Sequence, residues 1–259
     1  MFSKPLFKKT IKDNYKLWLG ITAALTVMLV LLLVMTNSVI NNPDIGGRPN
    51  GGGGGGMSIN LVLEQFYTMF AMLLGMIYVI ITANKLIAAQ IDNGSMAVLM
   101  SRPVKRNQVS VTQAVYLFGS IAAMFSVVMG VGLAVIGATG LNIAIGGFML
   151  LNLGIVLFFL SISGISFLAS CLFNVSSKSL LMGAGIPVLF FLFNMLAGFS
   201  GMAEFMELFK YLSLNTLFSV SDIMAYSTNL IWQFIILFAV GAGCYTAGIW
   251  YFKKKDLPL

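Results

Sequence analysis

Residues 107–177 read NQVSVTQAVYLFGSIAAMFSVVMGVGLAVIGATGLNIAIGGFMLLNLGIVLFFLSISGISFLASCLFNVSS, 71 residues without one Asp, Glu, Lys or Arg. Wound as a single helix they would reach about 106 Å, over three times a hydrocarbon core of roughly 30 Å. The stretch therefore doubles back, and the small polar group Thr139, Gly140, Leu141 and Asn142 is where it turns. That gives two bilayer-spanning helices, at 111–138 and 143–173. Outward from this pair, four further runs have the same length and character, at 17–40, 63–87, 180–199 and 230–252.

The whole chain of 259 residues has the matching composition. Only 15 residues are Lys or Arg and 8 are Asp or Glu, 9% charged against roughly 25% in soluble domains. Hydrophobic residues make up 59% and the mean hydropathy is +0.95. A soluble globule could not cover its surface with so few charges. A soluble enzyme, a nucleic-acid-binding domain, a secreted disulfide scaffold and a disordered chain are excluded despite the net charge of +7. The expected fold class is all-α, a polytopic integral membrane protein forming one transmembrane domain over 1–259. The basic start and the run at 17–40 are read as a retained first span: the run is longer than a signal's apolar region, and no small-x-small cleavage site closes it before Asn41 and Asn42.

Orientation follows from the basic residues of the connecting segments. With an interior N-terminus, thirteen of the fifteen fall inside and only Arg48 and Lys210 outside, so both termini are expected on the cytoplasmic face. At 1–16, Phe7, Ile11, Tyr15 and Trp18 follow a helical spacing, with Lys8, Lys12 and Lys16 in the adjacent row. This suits an interfacial helix lying on anionic lipid headgroups. A solvated basic tail that only sets topology would carry the same lysines. The outer loop at 41–62 includes six consecutive glycines, Gly51 to Gly56, a flexible tether uniform enough to be an engineered replacement. The outer segment at 200–229 is amphipathic, with Phe205, Leu208, Phe209 and Leu212 on one face and Glu204, Glu207 and Tyr211 on another.

Catalytic chemistry finds few side chains to use. Histidine is absent, which removes a Ser/His pair, a zinc protease motif and the commonest metal ligand. Cys171 and Cys244 lie in apolar runs and build neither a disulfide framework nor a metal site. Glu64 and Lys85 sit near opposite ends of the second span and Asp222 in the outer segment, leaving no mid-depth carboxylate for proton or sodium coupling. The nearest approach to a phosphate-binding loop is Lys178-Ser179, with no glycine loop before it. Energy for active transport must come from another chain.

One inner segment, 88–110, is specific. Residues 90–106 read QIDNGSMAVLMSRPVKR. Asn93-Gly94 marks a turn, Ser95 can cap a helix, and Met96, Leu99 and Met100 offer a short apolar face. Pro103 opens the next helix, and Arg102, Lys105 and Arg106 line one side of it. Such a helix with a basic shoulder fits a groove on a soluble partner. A basic loop that only fixes topology would look similar.

The pattern of Asp92, Gly94, Ser95, Leu99, Pro103 and Arg106 resembles the loop after the second span in permease subunits of type-2 ABC exporters. The likeness covers nearly the whole chain: the basic amphipathic start, six spans, this loop, and an outer amphipathic stretch. Within that family the short loops, the Asp-x-Gly-Ser-Met version and the basic tail look most like bacterial exporters of amphipathic peptides, the phenol-soluble modulin exporters among them. Gln90 departs from the pattern, standing near where many relatives carry a glutamate. The resemblance implies a coupling helix seated on a separate ATP-binding subunit, with Asp92, Gly94, Ser95, Met96, Leu99, Arg102, Pro103, Lys105 and Arg106 at the contact. It also implies that the N-terminal helix contributes, through Lys8, Ile11, Lys12 and Tyr15. No cofactor or metal is expected in this chain; ATP and magnesium would be held by the partner.

Within the spans, Gly119/Ala123, Gly130/Ala134, Ser166/Ser170 and Gly243/Ala247 are small-xxx-small pairs that permit close helix approach. Gly183, Gly185 and Pro187 suggest a hinge in the fifth span, because Pro187 removes the backbone bond toward Gly183. Seventeen methionines and 21 phenylalanines could line an adaptable apolar cavity. The expectation is a half-transporter that pairs with a second copy and two ATP-binding subunits in a bacterial cytoplasmic membrane, moving amphipathic or hydrophobic cargo, peptide by preference. A partner-free channel or secondary carrier, and a non-transporting immunity or assembly factor, are the competing classes. Nucleic acid is not an expected partner.

Overall fold

The structure is a computed structural model that describes residues 3–41, 59–96, 106–141, 143–197, 213–227 and 229–255. Among the described residues nine α-helices follow one another: α1 Lys4–Asn41, α2 Ile59–Gln65, α3 Met72–Leu86, α4 Ala88–Asp92, α5 Arg106–Thr139, α6 Ile145–Leu172, α7 Ser176–Ala197, α8 Val220–Met224 and α9 Leu230–Lys254. A π-helical turn, Phe66–Ala71, joins α2 to α3, and a 3-10 turn, Leu214–Leu217, precedes α8. There is no strand among the described residues. Six helical stretches among the described residues are long and apolar enough to cross a membrane: α1, the composite α2–α4, α5, α6, α7 and α9. The chain is a multi-pass membrane protein with the six spans its sequence predicts.

The ends differ from expectation in instructive ways. The interfacial helix at 1–16 and the span at 17–40 are one continuous rod of 38 residues. Pro5 stands in its first turn, where a missing N–H costs nothing, and Gly20 alone does not break it. The second span begins and ends beyond 63–87. It takes in the π-helical turn that buries the adjacent Phe66 and Tyr67, and it breaks only at Ile87 (φ −129°, ψ −66°) before α4. α5 starts at Arg106, five residues before the expected 111. The expected turn after α5 is present: Gly140 has φ +66°, and its N–H donates to the Ile136 carbonyl at 3.1 Å.

α6 is the central helix, packed against α9, α7, α3 and α5, while α1 lies chiefly along α5. Aromatic rings fill the middle: Phe159 stacks on Phe125 with centroids 5.4 Å apart, and Phe158 meets Phe218 at 6.0 Å. α6 and α9 cross so closely that a Cβ on Gly241 would lie 2.6 Å from Leu160 Cγ, and one on Gly164 would lie 2.8 Å from the Gly241 carbonyl oxygen. Along the same seam Ser161 Oγ donates to the Leu237 carbonyl at 2.6 Å and Tyr245 to Ser163 Oγ at 2.8 Å. Small residues and hydroxyls therefore do join helices here, as they must where lipid leaves little hydrophobic drive. Of the four pairs read from the sequence, only Ser166/Ser170 sits at such a contact. A Cβ on Gly119, Gly130 or Gly243 would meet nothing within 4 Å.

The described part of the outer amphipathic segment folds onto the bundle. Phe218, Val220 and Ile223 are buried, with Phe218 and Ile223 against Gly154 of α6. Ser213 caps the 3-10 turn by accepting from Asn215 N–H and donates to the Phe190 carbonyl at 2.8 Å. The facial pattern of Phe205, Leu208, Phe209 and Leu212, and the glycine run Gly51 to Gly56, lie outside the described residues.

Candidate functional site

The basic end of the bundle gathers the start of α1, the end of α4, the start of α5, the end of α6, the start of α7 and the end of α9. Asp92 closes α4 because the chain turns directly after it. Asn93 N–H donates to the Ala89 carbonyl and Gly94 N–H to that of Ile91, each at 3.0 Å, with Gly94 at φ +69°, a conformation glycine adopts freely. The turn leaves the Asp92 carboxylate free to reach another helix. Its Oδ2 accepts from Ser176 N–H at 3.1 Å, the first residue of α7, whose opening N–H groups have no partner within their own helix. A carboxylate there also faces the positive end of the α7 dipole. From α3, Asn84 Nδ2 donates to Ser176 Oγ at 2.7 Å, so two side chains of the second span hold the start of the fifth. One turn on, Ser179 Oγ lies 3.1 Å from Ser170 Oγ, which itself donates to the Ala83 carbonyl at 2.8 Å.

Arg106 opens α5 and ties a different set of helices. Its Nη1 donates to the Lys255 carbonyl at 3.0 Å. The Lys255 ammonium donates to the carbonyls of Cys171 and Leu172, both at 2.8 Å, the last residues of α6. Helix C-termini present unpaired carbonyls and partial negative charge, and a lysine satisfies both. Burial nevertheless lowers the Lys255 pKa from the ordinary lysine range.

Between α1 and the turn after α4 lies a polar cleft of about 350 Å³, lined by Lys9, Thr10, Asp13 and Asn14 on one side and Lys85, Gln90, Asn93 and Ser95 on the other. Lys85 Nζ donates to the Asp13 carbonyl at 2.9 Å across its base. Asn14 Nδ2 donates to the Thr10 carbonyl at 3.0 Å, while its buried Oδ1 has no hydrogen-bond partner. The structure thus brings the N-terminal helix and the residues from Gln90 to Ser95 to one place; Ser95 lines the cleft as one of the residues the sequence assigned to the contact, whereas Lys8, Ile11, Lys12 and Tyr15 of α1 do not line it. Lys8 and Lys12 are exposed elsewhere on α1. Ile11 and Tyr15 face an apolar groove of about 260 Å³ shared with Phe7, Trp18 and Tyr116.

The other expected contact residues divide. Met96, two residues past Gly94, is only 1% exposed and packs into the chain's own core rather than onto the outward apolar face expected of it. Ser95 Oγ donates to the Gln90 carbonyl at 3.2 Å, closing the turn. Leu99, Arg102, Pro103 and Lys105 lie outside the described residues. At Gly183, Gly185 and Pro187 the helix α7 runs through without a break, and the carbonyl of Gly183, which Pro187 cannot serve, accepts instead from Ser166 Oγ at 2.7 Å. A Cβ on Gly183 would come within 3.4 Å of α6, whereas one on Gly185 would meet nothing.

Asn84, Ser176, Lys255, Lys9 and Asp13 were missed by the sequence reading. Their partners are far away along the chain, and no local spacing announces them; Lys255 lay in plain view in the basic tail but counted only toward topology. Among the described residues no three His, Cys, Asp or Glu side chains are placed to hold a metal ion. The sequence matches the family model described as ABC-2 family transporter protein over residues 7–257, nearly its full length. No curated protein matches it.

Proposed function

Because the chain belongs to the ABC-2 family of transporter membrane proteins, we propose that it is the permease subunit of an ATP-driven exporter whose ATP-binding subunit docks on the 88–106 segment and the adjoining face of α1. The family is a membrane transport component, and it implies an ABC ATP-binding partner. The observation that carries the docking site is the polar cleft: it lies between the first three turns of α1 and the Asn93-Gly94 turn, and Lys85 Nζ, donating to the Asp13 carbonyl at 2.9 Å, ties α3 to α1 at its base, giving a soluble partner one composite surface to grip. With thirteen of fifteen basic residues assigned inward, this end faces the cytoplasm, where ATP is.

Two copies of the chain complete the pathway with two ATP-binding subunits in a bacterial cytoplasmic membrane, since six spans supply one wall and a symmetric dimer supplies two. The cargo is amphipathic or hydrophobic, a peptide toxin or antimicrobial peptide. Support comes from the lack of mid-depth charge in the spans and from the likeness to peptide exporters. Closure of the ATP-binding subunits moves the segment and, with it, the second and third spans. Filling the cleft with Gln90→Trp and reversing its charge with Lys9→Glu should leave membrane insertion unchanged and weaken co-purification with the ATP-binding subunit at least about tenfold, the equivalent of about 1.4 kcal/mol. Unchanged co-purification would remove the docking assignment. Flux through liposomes holding this chain alone would favour the channel or carrier reading instead.

A further inference from the structure

Resting on the reading of residues 88–106 as the segment an ATP-binding subunit pushes, we propose that the segment delivers its stroke through two separate feet. Asp92 passes it to the fifth span, and Arg106, by way of Lys255, passes it to the fourth and sixth. Each end of the segment has its own hydrogen-bonded attachment, and the two attachments share no helix beyond those that carry the segment. At the first, Asp92 Oδ2 holds the Ser176 N–H at 3.1 Å while Asn84 holds Ser176 Oγ at 2.7 Å. Both bonds fall on the first residue of α7, so a displacement there acts on the end of a rod. At the second, Arg106 holds the Lys255 carbonyl at 3.0 Å, and the Lys255 ammonium clasps the last two carbonyls of α6 at 2.8 Å. Lys255 directly follows α9, so this foot reaches α6 and α9 together.

The two loads differ in stiffness. α6 and α9 are sewn along their length by the Gly164–Gly241 approach, Ser161 to Leu237 and Tyr245 to Ser163, so they move as one body. α7 is the least buried of the six spans, with 17% of its most apolar stretch covered against 22% in α9 and 72% in α6, and among the described residues it has no backbone approach as close as the one that joins α9 to α6 at Gly164 and Gly241. Its side-chain ties to α6 include Ser166 to the Gly183 carbonyl and Ser170 with Ser179. One stroke applied through both feet therefore shifts α7 relative to the α6–α9 pair, and those serine contacts are where the parts separate. Asp92, Asn84, Arg106 and Lys255 are positioning residues in this scheme, acting through the helices they hold.

The test uses the full complex with its ATP-binding subunit in liposomes. A Cys244→Ser background, with the buried Cys171 left in place, carries an environment-sensitive fluorophore on Leu196→Cys at the far end of α7 or on Ile231→Cys at the far end of α9, both exposed positions. Addition of ATP and magnesium should change the signal at both. Asp92→Ala should cut the change at position 196 about fivefold, the equilibrium equivalent of one lost hydrogen bond, while sparing position 231. Lys255→Met should do the reverse. Asp92→Asn, which keeps an acceptor oxygen, and Lys255→Arg, which keeps the donors, should restore each signal. Ser176→Pro provides an independent break, deleting both the donor N–H and the Oγ that Asn84 holds at a helix position where proline fits, and should cut the signal at position 196 at least as far as Asp92→Ala does while sparing position 231. A merely structural role would lower both probes alike, and that result, or no loss at either, overturns the proposal. If no ATP-binding subunit accompanies the unmodified chain, the permease reading itself fails, and this inference with it.

Discussion

α6 and α7 are neighbours in sequence, joined by only three residues, and both are apolar enough to span a bilayer, yet one is the heart of the molecule and the other its margin. Of the most apolar stretch of each, 72% is buried in α6 and 17% in α7. Hydropathy does not separate them, because lipid and protein interior are equally apolar surroundings for a leucine. What separates them is the residue set at the contact. α6 carries Gly154, Ser161, Gly164, Ser166 and Ser170, which let other backbones approach and give them hydroxyls to bond. α7 turns Leu181, Leu189, Leu192 and Met195 outward. Burial in this protein is earned by small and polar side chains rather than by greasy ones.

Several substitutions can break or sharpen that contrast. The largest effect should come from Phe159→Ala, which empties the stack on Phe125 at the centre of α6 and should cost about 4 kcal/mol in reversible unfolding from detergent micelles; a loss under about 1 kcal/mol would mean that the centre is not packed as described. Gly241→Leu forces a side chain into the backbone of Leu160 and should cost about 3 kcal/mol, read as a fall in the same unfolding free energy. Ser166→Ala leaves the Gly183 carbonyl unserved and should cost about 1 kcal/mol on its own. In a Pro187→Ala background, where the helix can bond that carbonyl itself, the same change should cost close to nothing; equal costs in both backgrounds would refute the link. Leu181→Ala on the open side of α7 should change the stability of the single chain by less than about 0.5 kcal/mol.

The smallest effect concerns pH. Burial disfavours the Lys255 ammonium, so the folded chain gives up that proton at a lower pH than the unfolded chain does. The stability linked to this group is therefore complete above the unfolded lysine value and is lost as pH falls through the lower, folded one. A shallow rise in stability on the alkaline side should follow, and Lys255→Met should flatten it.

The amino-acid sequence by itself determined the solvent, the number of spans, the turn at Gly140 and the stop at Gly94, because length, missing charge and glycine's backbone freedom are local properties. It also marked Asp92 and Arg106 as the ends of a special segment, and it showed that Pro187 would strand a carbonyl. Only the tertiary structure decided which helix each end grips, that Met96 turns inward, that Lys9 and Asp13 rather than Lys8 and Ile11 line the cleft, and that Gly164 and Gly241 rather than Gly130 and Gly243 form a close crossing. The physical reason is that an all-apolar helix has no polar face to fix its rotation in advance. Its orientation is set by hydrogen bonds and steric fit between residues many tens of positions apart, such as Asp92 with Ser176 and Arg106 with Lys255.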